Sequence, residues 1–326
     1  MISWLARRVA VSVLLVFVLI STVFFVVRLA PGDPLDQVVG EDLGPAGRDL
    51  IRRQMGLEGS LVSQYLSWLG ASFRGDFGTS FSQQRSVGGI IGEALPATLL
   101  LTVTAYLLHL LLAAAAALLT APRPGGALDQ WIQGVGLVLY SLPAFWLGLM
   151  LIMLLSRQLG WFPAGGMYSP DATYLTWWGK GIDLWRHLAL PVATLALGSF
   201  MGTARYLRAS LDDVLGQDFI LAARARGVPE RRILINHALR NSLLPMITLM
   251  GLSLPFLLGG AVVVEIVFGW PGMGRVAVEA IWARDYPVIM ATTLVSALTV
   301  VAGSLLADIL YRWADPRVRL AGEDTA

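Results

Sequence analysis

Apolar runs long enough to cross a bilayer constrain this chain more than any other feature. A spanning helix needs roughly 20 mostly apolar residues. Six segments qualify: residues 9–29 (VAVSVLLVFVLISTVFFVVRL), 95–119, 132–156, 188–204, 245–268 and 288–311, the fourth being short with its start read at Pro191. Charged residues make up 14% of the chain and apolar ones 56%, whereas a soluble domain carries about 25% charged residues. The expected fold class is therefore all-α integral membrane with six transmembrane helices, because in lipid only a helix or a closed barrel pairs every backbone group. The first run follows Arg7 and Arg8 as a signal peptide would. It is too long for a signal h-region, however, and ends in Arg28 without a small-x-small cleavage site, so it reads as a retained span.

Lys and Arg near the span ends set orientation. With the N-terminus inside, the inner segments hold Arg7, Arg8, Arg123, Arg205, Arg208, Arg224, Arg226, Arg231, Arg232, Arg240, Arg312, Arg317 and Arg319, more than half of the 24 basic residues. The short outer loop 269–287 has only Arg275 and Arg284. Both termini are expected to be cytoplasmic, with the basic loop 204–244 on the same side. Residues 30–93 form the one sizeable outer segment and read as a small cap. They are polar and rich in Gly, with turn clusters PGDP (31–34) and GDFGTSF (75–81). In segment 158–187, Trp161, Trp177, Trp178 and Trp185 read as an interfacial belt, or alternatively as contacts for a ligand or a docked protein.

Most catalytic chemistry is excluded. There is no cysteine, hence no disulfide and no thiolate metal site. The phosphate-loop pattern has no match, and the lone lysine, Lys180, lies in WWGKG. If ATP drives the protein, another chain binds it. GMGRVA (272–277) mimics a dinucleotide fingerprint, but no strand precedes it, so it reads as a turn. His109, His187 and His237 fall at three different depths and cannot share a metal. No catalytic, cofactor-binding or metal residue is expected, and a net charge of +2 gives no argument for nucleic acid. The intramembrane ionisable groups are His109, Glu265 and Asp308, which are functional candidates by default. For Glu265 and Asp308, snorkelling or a structural pair is the competing reading.

The remaining chemistry concentrates in ILAARARGVPERRILINHALRNSLLP (220–245). Asp218 can cap a helix beginning at Phe219. Phe219, Ala222, Ala223 and Arg226 follow at helical spacing and share a face. Gly227 suits the left-handed residue past the helix end, and Pro229 the start of the next helix. Arg231 and Arg232 then add charge. Such a helix could hold anionic lipid headgroups or dock on a cytoplasmic partner. Small residues at 222 and 223 favour docking, since a lipid-facing helix would carry bulky apolar side chains there.

This stretch resembles the cytoplasmic E-A-A-x3-G-x9-I-x-L-P loop of binding-protein-dependent ABC import permeases. Ala222, Ala223, Gly227 and Leu239 match, whereas Leu221, His237 and Arg240 stand where Glu, Ile and Pro are usual. RLAPGDP (28–34), GDFGTSF, ALPATL (94–99), LPAFWLG (142–148), LGWFPAGG (159–166), VVVEIVFGWPGMGR (262–275), RDYPV (284–288) and DILYRWADPRVR (308–319) extend the resemblance over nearly the whole chain. They point to the dipeptide/oligopeptide/nickel branch and to the first permease of its pair. The resemblance implies a type I ABC importer permease fold in a prokaryotic plasma (inner) membrane. It implies an N-terminal span 1–29, an external cap 30–93, a core permease domain 94–311 and a cytoplasmic tail 312–326. The implied partners are a second homologous permease, two ATP-binding ATPase subunits, an external solute-binding protein and membrane lipid. Residues 218, 219, 222, 223, 226, 227, 229, 231 and 232 would couple to the ATPase. The permease itself would do no chemistry. The competing readings are a self-sufficient secondary transporter using Glu265 and Asp308, with His109 as a further coupling group, and a non-transport membrane scaffold.

Overall fold

A run of 28 residues free of Gly and Pro opens the molecule as helix α1, Ile2–Leu29. At 1.5 Å per residue it extends about 42 Å, more than the hydrocarbon thickness of a bilayer. The computed structural model describes residues 2–29, 59–243 and 261–314. The first half of the expected cap, most of the expected fifth span and most of the expected C-terminal tail lie outside the described residues. The described elements are helices α2 (Leu61–Ser72), α3 (Val87–Thr120), α4 (Ala127–Ser141), α5 (Ala144–Leu151, continued by a π-helical stretch Ile152–Gln158), α6 (Trp177–Leu197), α7 (Phe200–Leu215), α8 (Asp218–Ala225), α9 (Glu230–Arg232, continued by a π-helical stretch Ile233–Leu239), α10 (261–267), α11 (Met273–Trp282) and α12 (Tyr286–Ala314).

Among the described residues, three single helices are long and apolar enough to span: Ala6–Leu29, Val87–Thr120 and Tyr286–Ile309. Two expected spans are not straight helices. The run 132–156 is split into α4 and α5, which meet at 108°. The cause is Pro143: the residue before a proline is pushed out of the α region, and Leu142 is extended with ψ 135°. The run 188–204 breaks at Gly198–Ser199, where α6 and α7 meet at 51°. Its helix does not start at Pro191 either. It starts at Trp177, where Thr176 accepts a hydrogen bond from the Gly179 N–H at 3.3 Å, and Pro191 sits inside α6. Hydropathy sums apolar residues and is blind to both breaks.

The chain divides into two compact units, Met1–Thr98 with Pro271–Val301, and Leu99–Trp270 with Ala302–Ala326. In the first, Val87, Ile90, Ile91 and Ala94 of α3 pack with Met273 and Ala280 of α11 and with Val288 and Ala291 of α12. Phe24 of α1 meets the Tyr65 ring of α2 edge-on at 5.2 Å, and the Ser21 and Tyr65 hydroxyls are 2.6 Å apart. In the second unit, the alanine-rich end of α3 does the packing. Ala113 and Ala116 lie against Phe200, Met201 and Ala204, and Ala117 and Ala121 against Leu207, Leu211 and Val214. Small side chains let two helix backbones approach closely, which is how helices associate without a hydrophobic driving force in lipid.

Candidate functional site: the elbow of α8 and α9

Helix α7 ends at Gly216, and Gln217 turns the chain into α8 with an extended conformation (φ −80°, ψ 151°). Gln217 thus takes the cap position expected of Asp218. Asp218 is instead the first helical residue, where its negative charge faces the positive end of the helix dipole.

The far end of α8 closes as the sequence reading expects. Gly227 has φ +75°. Its N–H donates to the Arg224 carbonyl at 2.9 Å, and the Val228 N–H donates to the Ala223 carbonyl at 3.2 Å. This pair of bonds is the Schellman arrangement, which satisfies two carbonyls that the helix end leaves open. Pro229 then caps α9, with φ −60° and ψ 139°.

The turn is also held by a core of its own. Ile220, Ala223 and Ile233 are buried, with Leu215 of α7 and Val228 of the turn packed against them. Arg224 grips Glu230 across the elbow through Nε–Oε1 at 2.8 Å and Nη2–Oε2 at 3.3 Å. That hydrogen bond pushes the Arg224 guanidinium pKa further up from its ordinary value. Because the pair is exposed, its contribution to stability is small, about 0–1 kcal/mol, and its main effect is geometric.

One expectation needs correction here. Phe219, Ala222, Ala223 and Arg226 do not form a single outward face. Ala223 is only 2% exposed and belongs to the elbow core, because Ile220 and Ala223, three apart, both turn inward. The outward surface is Asp218, Phe219, Leu221, Ala222, Arg226, Arg231 and Arg232, with Leu221 at 54% exposure. The sequence reading missed the inward pair and the Arg224–Glu230 grip. The signal was present as apolar residues at 215, 220 and 233 on both sides of the Gly-Val-Pro turn.

The intramembrane candidates differ in exposure. His109 is buried in α3 and is held by Ser199 (Nδ1···Oγ 2.8 Å) and Thr203 (Nε2···Oγ1 2.9 Å). Glu265 is fully buried in α10, so it does not snorkel. Asp308 is partly exposed in α12. Trp161, Trp177, Trp178 and Trp185 are all exposed, and the Trp177 and Trp178 rings stack at 4.8 Å.

Several shared sequence stretches of the second unit meet at one place. The Gly166 N–H donates to the Phe268 carbonyl at 2.7 Å, which joins LGWFPAGG to the FGWPG turn. A Cβ on Gly165 would lie 2.4 Å from that same carbonyl oxygen. Gly148 of LPAFWLG abuts the Phe268 ring, where a Cβ would stand 3.1 Å away.

Comparison with known proteins agrees with this architecture. The family described as binding-protein-dependent transport system inner membrane component matches residues 109–320, and its N-terminal companion matches residues 1–102. The chain is 41% identical to an oligopeptide transport system permease protein of Bacillus subtilis (strain 168) over 319 residues, covering 98% of this chain and 99% of the relative. It is 35% identical to a glutathione transport system permease protein of Escherichia coli (strain K12), with 98% and 99% covered. Among solved structures, a methionine ABC transporter in an inward-facing conformation is similar in fold, with a TM-score of 0.55 at 18% identity, covering 69% of this chain and 96% of that one. Permeases of this kind work with ATPase and solute-binding proteins, which carry the ATP chemistry and the solute capture. The chain belongs to the binding-protein-dependent transport system inner membrane components: it is a non-catalytic, multi-pass permease subunit of an ATP-driven ABC importer.

Proposed function

We propose that this permease forms the translocation path for peptides delivered by an external solute-binding protein, and that the α8–α9 elbow is its coupling element. The substrate class rests on relatives named for oligopeptides and for glutathione, itself a tripeptide. The coupling role rests on one observation. The elbow carries its own buried core, its own helix-end closure and an ion-pair grip, yet presents Phe219, Leu221 and Ala222 outward beside Arg226, Arg231 and Arg232. A pre-built knob with an apolar centre and a cationic rim suits a protein groove. Asp218 and Arg226 frame that centre, Gly227 and Pro229 shape the turn, and Ala223 supports the knob from within.

In this reading the chain pairs with a second homologous permease and binds two ATPase subunits through one elbow on each permease. Six spans place both termini and loop 204–244 in the cytoplasm, residues 30–93 outside as a cap, and lipid around the bundle. Residues 1–29 form the first span, 94–311 the core domain and 312–326 the tail. ATP-driven closure of the ATPases pushes the elbows and biases the permease pair between two accessibilities. The test is reconstitution of the chain with its partner subunits in proteoliposomes. ATP-dependent uptake of labelled oligopeptides, lost when the binding protein is omitted, supports the proposal. Uptake by the permease alone, driven by an ion gradient, overturns it.

A further inference from the structure

The bend between α6 and α7 raises a mechanical problem. Gly198 and Ser199 are the two residues outside the helices there. The α7 helix runs from that break to the elbow, and Leu215 at its end packs on the elbow core. A push on the elbow would be absorbed by flexing at Gly198–Ser199 unless something holds the angle. His109 is placed to hold it.

The hydrogen bonds around His109 have a direction that the donors settle. The Ser199 hydroxyl donates to the Leu195 carbonyl at 2.8 Å, so it faces His109 as an acceptor, and His109 Nδ1 must carry the proton. Nε2 of the neutral ring is then an acceptor and takes the Thr203 hydroxyl proton at 2.9 Å. The bonds form one directed chain: Thr203 in the first turn of α7, His109 on α3, Ser199 at the break and Leu195 in the last turn of α6. The two inner members, His109 and Ser199, each accept one bond and donate another, and the imidazole ties both sides of the break to a third helix. Directly below, Ala113 and Ala116 of α3 pack on Phe200, Met201 and Ala204 of α7, so the lock sits on a close-packed seam.

We infer that His109 is a positioning residue that locks the α6–α7 bend, so that α7 carries displacement of the elbow into α3 and α6 as one body. This role rests on the coupling reading of the elbow. The chain has no native cysteine, so Lys180→Cys on α6 and Asp213→Cys on α7, both exposed, can be spin-labelled in the assembled complex. The labelled complex is measured without nucleotide and with a non-hydrolysable ATP analogue.

With His109 present, the distance distribution is expected to be narrow and the same in both states. His109→Leu keeps volume but removes the donor and the acceptor. It is expected to broaden the distribution and to raise ATP hydrolysed per peptide transported by about 30-fold, the scale of two lost hydrogen bonds of about 1 kcal/mol each. His109→Gln carries one donor and one acceptor and is expected to stay near wild type. A narrow distribution in His109→Leu, or an unchanged coupling ratio, overturns the lock. If His109→Leu does not assemble, Thr203→Val removes one bond without changing side-chain volume, and a narrow distribution there overturns it equally. Retention of ATPases by Ala222→Trp reads the docking separately, so failure of the lock and failure of the elbow reading are seen apart.

Discussion

The Asp285 carboxylate accepts a hydrogen bond from the Ser80 hydroxyl at 2.6 Å across 205 residues of sequence. The same oxygen, Oδ2, also takes the Ser82 N–H at 2.9 Å and the Ser82 hydroxyl at 2.8 Å. Oδ1 faces the Val288 N–H at 3.4 Å, at the start of α12. Asp285 is fully buried. One carboxylate therefore caps a helix and fastens the GDFGTSF turn to it. GDFGTSF and the Ser82 that follows it supply the donors, and RDYPV supplies the acceptor.

Asp285→Asn is expected to destabilise the first unit by about 1–3 kcal/mol, because one of the two accepting oxygens becomes an NH2 group that meets either the Val288 N–H or the Ser80 and Ser82 donors. The thermal midpoint of the purified complex falls, and limited proteolysis within 74–86 becomes faster. An unchanged midpoint and cleavage pattern would show that the carboxylate is not the fastening.

At Gly227 the conformational cost can be separated from steric clash. A Cβ there meets nothing within 4 Å, while φ is +75°. Substitution thus costs only backbone strain, roughly 1–2 kcal/mol for an ordinary residue and less for Asn, which tolerates the left-handed region. Transport is expected to rank Gly, then Asn, then Ala, then Val, with insertion in the membrane unaffected. Equal activity for Val and Asn would refute the turn's role in aiming α8.

Ala222 and Ala223 are neighbours with opposite surroundings, and tryptophan separates them. Ala222→Trp is expected to leave the permease's own stability intact and to weaken ATPase co-purification by roughly 5- to 150-fold, the equivalent of an overpacking cost of about 1–3 kcal/mol at the interface. Ala223→Trp overfills the internal cluster of Ile220 and Ile233 and is expected to lower the stability of the elbow itself, measured as faster proteolysis at 216–232. Full ATPase retention by Ala222→Trp would mean that the surface lies on lipid, where an interfacial tryptophan is welcome.

Two glycines of the second unit predict different outcomes for the same change. At Gly165 an added methyl would stand 2.4 Å from a backbone oxygen, and the backbone has no rotamer with which to yield. At Gly136 the neighbour at 2.6 Å is the Met201 sulfur, which is flexible. Gly165→Ala is expected to cost about 1–3 kcal/mol, visible as a clear drop in thermal midpoint, and Gly136→Ala distinctly less. The reverse order would place the tight contact elsewhere.

The sequence by itself determined the solvent. Apolar runs at 9–29, 95–119 and 288–311 became α1, α3 and α12 because a bilayer leaves a long apolar segment no other way to pair its backbone. It also determined the elbow, since Gly227 and Pro229 act locally and carry their conformations into any context. It left no sign of where apolar runs bend: Leu142 yields to Pro143, whereas Pro191 stays inside its helix, and only packing distinguishes the two. Which side of α8 faces inward was likewise a tertiary decision. Ile220 and Ala223 turned in because Ile233, Val228 and Leu215 were there to receive them. His109 is the sharpest case. The sequence flags an ionisable group in lipid, but its partners Ser199 and Thr203 lie 90 and 94 residues away. Only the fold brings them within reach, because hydrogen bonds act over about 3 Å and carry no trace along the chain.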